Sequence, residues 1–229
     1  MFILLVSYRA IGDQKFRRLQ LINTIDNFKK YFLKNKIEFK IIIGEQNNDK
    51  KFNRGLLLNA IFLESEKNFN FYKKYIHMNV DYNFDLSRKF PDELLNFKEG
   101  FLELYRLPCP VLGSACVFDP ESYKTINGFP NNLEGWGGDD HAIYNRILKK
   151  KIKCMQPVGL YNSNFIIEET EKIFNLQKDY SNNDKNINLA NNLSDLEING
   201  LNSIKYKING NGEFHDNNIV FHYLINDNI

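Results

Sequence analysis

The strongest constraint on the fold is the alternation of apolar runs with amphipathic stretches in the first part of the chain. Phe2–Val6 and residues 39–46 (FKIIIGEQ) are apolar and β-branched, which predicts two buried strands. Residues 13–36 place apolar side chains at helical spacing between them. A second helical pattern at 52–67 precedes a third predicted strand at 75–81. This order of strands and helices is typical of an α/β fold with a mainly parallel central sheet flanked by helices.

The second half of the chain carries weaker patterns. Residues 110–130 predict a strand, a short helix and a Gly-Phe-Pro turn, and residues 140–151 predict a helix. Residues 168–200 are polar and rich in asparagine, which is typical of a surface loop or a frayed helix. Further strands are predicted at 153–162, 201–208 and 218–225. We therefore expect one domain over residues 1–229, with the Asn-rich segment at its surface.

Composition narrows the class of protein. A chain of 229 residues with 43% hydrophobic content can bury one substantial core. A net charge of +2, from scattered basic residues, gives no indication of nucleic-acid binding. No stretch approaches the roughly 20 apolar residues of a membrane-spanning helix, and no signal peptide is recognisable. The three cysteines lack metal-type spacing, so we expect free thiols and a cytoplasmic location. The joint abundance of Lys, Ile and Asn fits an AT-rich bacterial or viral genome.

Polar residues follow each of the first three predicted strands, where parallel sheets bind their ligands. They are Ser7–Arg9, residues 45–54 and Asn79–Asp81. Asp81 can hold a diphosphate through a divalent cation, because Mg²⁺ and Mn²⁺ prefer oxygen ligands. Taken alone, this three-residue pattern favours a plain turn at the end of a strand.

Residues 134–146 (EGWGGDDHAIYNR) combine the only tryptophan with clustered glycines and an acidic pair. The glycines permit a mobile backbone, and Trp136 offers a flat face on which sugars and bases stack. Asp139 or Asp140 can cap the following helix, and a carboxylate that faces a pocket can act as a general base. The plain structural alternative is an aspartate N-cap beside a buried tryptophan. Glycine neighbours make a poor core for a tryptophan, which favours a binding loop.

Five sequence blocks, in this order and spacing, resemble the catalytic domain of the β-1,4-galactosyltransferase family. The resemblance extends from about Val6 to Ile208. It implies a GT-A fold (nucleotide-diphospho-sugar transferase), a UDP-sugar donor and inversion at the anomeric carbon. The blocks are FNRGLLLNAIF, NVD, TINGFPNN, GWGGDDHAIYNR and NGLNSIKYKI.

The resemblance also implies a donor site. Arg54 suits it chemically, because a guanidinium presents a forked set of donors to phosphate oxygens. Asp81 matches the family's metal-binding aspartate, whereas Asn79 replaces the first aspartate of that motif. A methionine and a histidine that complete the family's metal site are absent, and Glu168 or Glu169 could substitute as ligands of Mn²⁺ or Mg²⁺. Metal-independent action stays open. The implied donor and nucleotide contacts are Ser7, Arg9, Phe52, Arg54, Asn79, Val80, Asp81 and Gly137.

The same resemblance implies the acceptor site and the base. Asp140 matches the carboxylate that takes the proton of the acceptor hydroxyl. Val111 stands where the family has a bulky aromatic that restricts the donor sugar, so an N-acetylated donor becomes plausible. His141 replaces an acidic residue associated with acceptor binding, which predicts an unusual acceptor. The implied acceptor contacts are Trp136, Gly138, Asp139 and His141.

These features predict an inverting glycosyltransferase. It would move galactose or N-acetylgalactosamine from a UDP-sugar to a hydroxyl of a glycan or glycoconjugate, without nucleic-acid partners. The missing metal ligands and Asn79 keep an alternative open, namely a catalytically weak or inactive module that binds glycans or UDP-sugars on the same fold.

Overall fold

A mixed eight-stranded sheet and a separate two-stranded sheet form the frame of the molecule. The computed structural model describes residues 1–9, 15–71, 73–105, 112, 115–155, 165–167 and 182–227. Its strands are β1 (Phe2–Tyr8), β2 (Phe39–Gln46), β3 (Lys74–Met78), β4 (Tyr82–Phe84), β5 (Phe101–Tyr105), β6 (Ala115–Phe118), β7 (Cys154–Met155), β8 (Phe165–Ile167), β9 (Tyr206–Asn211) and β10 (Val220–Asp227). Its helices are α1 (Lys15–Lys34), α2 (Arg54–Asn68), α3 (Asp92–Asn96), α4 (Pro120–Thr125), α5 (Asp139–Lys149) and α6 (Asn183–Asn191).

The large sheet has the strand order β7-β5-β6-β3-β1-β2-β10-β9. Its centre is parallel, because β1 pairs in parallel with both β2 and β3, and β10 pairs in parallel with β2. Strand β6 runs antiparallel to β3 and β5, and β9 runs antiparallel to β10. The predicted α/β fold with a mainly parallel central sheet is therefore confirmed.

Helices cover both faces of the sheet because the central strands are apolar on both sides. On β1, Leu4 and Val6 point into a core that also contains Phe28 of α1. The alternate residue Leu5 points into a second core with Ile61 of α2. Successive side chains of β1 point to opposite faces of the sheet, and helices cover both faces. Strand β1 is therefore buried along its whole length.

Helix α5 is fastened to two distant turns by one buried arginine. Arg146, 1% exposed, donates hydrogen bonds to the carbonyl oxygens of Asn127 (3.1 Å), Gly128 (2.9 Å) and Asn199 (2.5 Å). Burial lowers the pKa of Arg146 to about 10, which reflects the cost of removing its charge from water. These bonds fix the orientation of α5, whose first turn carries the acidic pair.

The structure differs from the sequence-based prediction in several places. The third strand ends at Met78 rather than at residue 81, so Asn79–Asp81 form a turn closed by a 3.2 Å hydrogen bond from Tyr82 N to Asn79 O. The predicted strand at 201–208 begins only at Tyr206. Strands β4, β5 and β8 and helix α3 carry no pattern strong enough to predict them. Of the predicted strand at 153–162, only β7 lies within the described residues.

The Asn-rich segment also departs from the expected surface loop or frayed helix over its described part. Residues 183–191 form α6, which packs along α5. Asn186 and Ala190 of α6 are buried at 1% exposure. The hydrophobicity pattern does not predict this helix, because its asparagine side chains are held by hydrogen bonds and not by apolar contacts.

Candidate active site

Arg54 is the centre of a polar cluster at the carboxyl end of the sheet. It is the first residue of α2, which begins where the Asn53 side chain accepts a 2.9 Å hydrogen bond from Leu56 N. Its Nη1 donates to Asp140 Oδ1 at 3.0 Å, and its Nη2 contacts Nε2 of His77 on β3. Its guanidinium lies over the Phe129 ring at 5.9 Å. Two predicted site residues from separate blocks, Arg54 and Asp140, are therefore in direct contact.

Asp139 lies beside this ion pair at the first position of α5 and is 8% exposed. Burial raises the pKa of Asp139 to about 7; the Arg54 charge opposes the rise and Asp140 adds to it. Its Oδ1 has no hydrogen-bond partner among the described residues. Asp139 is therefore a buried acid that can hold its proton near neutral pH.

The glycine loop before α5 has the backbone that its sequence demands. Gly137 and Gly138 adopt φ values of +97° and +85°, a region that residues with a Cβ rarely enter. Gly135 N donates to Phe52 O at 2.8 Å, which ties this loop to the segment that precedes α2. The N-cap is Gly138, without a side-chain hydrogen bond, so neither aspartate serves as the cap. Trp136 is partly exposed and does not belong to the core, which removes the plain structural alternative.

Helix α6 holds the glycine loop from the other side. The Asn186 side chain donates to Glu134 O at 2.9 Å and to Trp136 O at 3.3 Å. A Cβ placed on Gly138 would lie 2.7 Å from Asn186 O, so the two backbones approach as closely as glycine allows. Sequence reasoning missed Asn186, and its only signal is a place in an asparagine-rich stretch.

The predicted donor contacts lie at the ends of adjacent parallel strands. Ser7 is buried near the end of β1, and Arg9 follows it, partly exposed. Phe52 is partly buried just before α2. In the turn after β3, Val80 is buried, and its carbonyl accepts a 2.8 Å hydrogen bond from Thr24 Oγ1 of α1. The parallel register of β1 with β3 brings these groups to one edge of the sheet.

Asp81 is the one predicted metal ligand within the described residues. It is buried at 6% exposure in the turn after β3, and Asn79 in the same turn is partly exposed. Carboxylate and amide oxygens suit Mn²⁺ or Mg²⁺, so the donor chemistry fits the implied ion. No group of three or more His, Cys, Asp or Glu able to hold a metal ion occurs within the described residues. Glu168, Glu169 and Val111 lie outside those residues.

The remaining predicted residue, His141, lies on the first turn of α5 and is partly exposed. His77, like Asn186, is a contact that sequence reasoning missed. Burial, and then the nearby Arg54 charge, hold the pKa of His77 well below its usual range. Its signal was a histidine that follows Tyr75 and Ile76 in a buried strand, Lys74–Met78.

Comparisons with known proteins find galactosyltransferases. A family model described as the N-terminal domain of galactosyltransferase matches residues 104–173. β-1,4-Galactosyltransferase 1 of Mus musculus is 27% identical over 180 residues, which cover 75% of this chain and 43% of the mouse protein. β-1,4-Galactosyltransferase 2 of Cricetulus griseus is 33% identical over 140 residues, covering 55% and 36%. The chain therefore spans less than half the length of these relatives.

Among solved structures, the catalytic domain of Drosophila β1,4-galactosyltransferase 7 superposes with a TM-score of 0.75 at 18% identity. The superposition covers 98% of this chain and 94% of the Drosophila domain. The fold is accordingly that of the GT-A glycosyltransferases. Within that class, the chain is similar in sequence to the galactosyltransferase family.

The expected cytoplasmic location is wrong. The galactosyltransferase relatives are type II membrane enzymes of the Golgi and are lumenal. Cysteine number and spacing indicate only whether disulfides or metal sites are favoured, and they do not determine the cellular location. Among the described residues, no helix is both long enough and apolar enough to cross a bilayer.

Proposed function

We propose that the protein transfers galactose from UDP-galactose to a hydroxyl of a sugar acceptor, with inversion at the anomeric carbon. The observation that carries this proposal is the contact of Arg54 with Asp140, beside the buried acid Asp139 at the start of α5. The relatives are named β-1,4-galactosyltransferases. A mutant of the Drosophila neighbour was solved with manganese, UDP-Gal and xylobiose, which supports the same classes of donor, ion and acceptor here.

In this proposal Asp140 accepts the proton of the acceptor hydroxyl as its oxygen attacks the anomeric carbon. The bond between that carbon and the diphosphate oxygen breaks, and UDP leaves with the electron pair. Arg54 binds the diphosphate and offsets its growing negative charge. Trp136 stacks on the acceptor sugar, and Asp139 hydrogen-bonds one of its hydroxyls. A divalent cation, with Asp81 as a ligand, would add positive charge against the leaving diphosphate.

UDP-N-acetylgalactosamine is a second candidate donor. It rests on the small side chain of Val111, where the family has a bulky aromatic, and Val111 lies outside the described residues. The alternative of an inactive binding module has no support among the relatives, which are named as transferases.

The test of the reaction is release of UDP from UDP-galactose, UDP-N-acetylgalactosamine and UDP-glucose in the presence of xylose- or glucosamine-based acceptors and Mn²⁺. Asp140→Asn should reduce kcat by about 100-fold or more, the range typical of a lost general base. Asp26→Asn, the same change at an exposed position of α1, is the matched control and should match the wild type. Near-full transfer by Asp140→Asn would show that Asp140 is not the base.

The ion is tested separately. EDTA should abolish UDP release, and added Mn²⁺ should restore it. In calorimetry, Asp81→Asn should weaken Mn²⁺ binding to the UDP complex, because a charged ligand is lost. Activity that survives EDTA would contradict the metal and favour the metal-independent alternative.

A further inference from the structure

We infer that His77 is a positioning residue for Arg54. Its ring nitrogen accepts a hydrogen bond from the guanidinium and so orients Arg54 towards both the donor diphosphate and Asp140. The inference rests on the proposed function for the role of Arg54, but the geometry of the contact can be tested without activity.

His77 lies on an inner strand of the large sheet. It is 1% exposed on β3, where it lies opposite Leu5 of β1 on one side and Cys116 of β6 on the other. Its ring meets the Phe129 ring edge-on, with centroids 6.1 Å apart at 74°. A side chain enclosed by two strands and an aromatic ring has little freedom, so it can act as a fixed support for Arg54.

The chemistry of the contact determines the state of His77. A guanidinium has only donors, so Nε2 of His77 must be the acceptor and the ring proton must reside on Nδ1. Burial, and then the Arg54 charge, keep the pKa of His77 low, whereas a hydrogen bond with the backbone of Leu5 acts in the opposite direction. His77 is therefore neutral at physiological pH.

A neutral acceptor has a specific advantage at this position. Nη1 of Arg54 is engaged by Asp140, and Nη2 is engaged by His77. A carboxylate in place of His77 would neutralise Arg54 and weaken its attraction for a diphosphate, whereas a neutral ring fixes the guanidinium and leaves its charge available. Without an acceptor, the part-buried Nη2 loses its hydrogen bond with His77, and the guanidinium can turn towards the unpartnered Oδ1 of Asp139.

Two variants separate this role from simple packing. His77→Phe keeps an aromatic ring against Phe129 but removes the acceptor. His77→Gln loses the ring and retains an acceptor, because its amide oxygen reaches about as far as Nε2. His77→Phe should lower kcat/KM about tenfold to a hundredfold, with a matching loss of affinity for UDP, the range expected when a charged group loses one hydrogen bond. His77→Gln should recover most of both quantities.

Thermal unfolding of each variant shows whether the fold is retained. If His77→Phe keeps wild-type kinetics, or if His77→Gln loses as much activity as His77→Phe, the positioning role is overturned. Nitrogen-15 NMR of the ligand-free wild type gives a readout independent of turnover: the His77 ring should carry its proton on Nδ1. A proton on Nε2 would overturn the inference even in an active enzyme. If the wild type neither binds UDP nor transfers a sugar, but the His77 ring carries its proton on Nδ1, the proposed function is overturned and the contact between His77 and Arg54 is still supported.

Discussion

Replacing Asp139 with asparagine should stabilise the protein, and the gain should grow with pH. The folded-state pKa of Asp139 is raised by burial from 3.8 to about 7. Below 3.8 both the folded and the unfolded chain carry the neutral acid. As the pH rises, the unfolded chain ionises first, so stability falls until the folded acid also ionises near pH 7. Asparagine does not titrate, so the variant avoids this loss.

The size of the effect follows from the same two values. Between pH 4 and pH 7 the stability gap between Asp139→Asn and wild type should widen by about 1.4 kcal/mol per pH unit. A separation of about 3 pKa units corresponds to about 4 kcal/mol above pH 7, where the gap should level off. This is a large fraction of the 5–15 kcal/mol typical of a folded domain.

Urea unfolding at pH 4.5, 5.5, 6.5 and 8, followed by far-ultraviolet circular dichroism, measures the gap directly. Asp85→Asn is a control of opposite sign, because hydrogen bonds from Ser87 lower the pKa of Asp85. That variant should be less stable than wild type by an amount that stays constant from pH 4.5 to pH 8, because Asp85 titrates at or below 3.8 in both the folded and the unfolded chain. A gap for Asp139→Asn that stays constant with pH, or a variant less stable than wild type at pH 8, would refute the buried neutral acid.

Three further variants test the frame of the site. Arg146→Met should destabilise the protein by about 3 kcal/mol or more, measured by urea unfolding, because two buried carbonyls and one part-buried carbonyl lose their donor. Gly138→Ala should lower the free energy of unfolding by about 1–3 kcal/mol, since its φ of +85° and the nearby Asn186 carbonyl both oppose a Cβ; an unchanged melting temperature would contradict this. Asn186→Ala should free the loop that carries Trp136, the only tryptophan, and iodide should then quench its fluorescence more strongly than in the wild type.

The sequence predicts the elements whose pattern is strong and local. The apolar run of β1 and the helical spacing of α2 place both elements within two residues of where they are observed. The glycines at 137 and 138 also predict a special backbone, because only glycine adopts their positive φ without strain.

The sequence pattern does not predict which side chains of the site are in contact. Arg54, His77 and Asp140 meet because β3 lies beside β1 and because α5 is fastened by Arg146, and no spacing in the sequence encodes this. A buried histidine beside an arginine also contradicts the usual expectation that an apolar strand stays apolar. The raised pKa of Asp139 likewise depends on burial, which only the packed structure reveals.

The position of β10 has a consequence for how the chain folds during synthesis. Strand β2 pairs with β1 on one edge and with β10 on the other, so that Ile43 lies opposite His222. Until β10 emerges from the ribosome, the apolar strand Phe39–Gln46 keeps an open edge that can pair with other nascent chains. Closing the sheet over so great a chain separation is slow. Expression yield should therefore depend on chaperones and on the rate of translation more than on the stability of the finished fold.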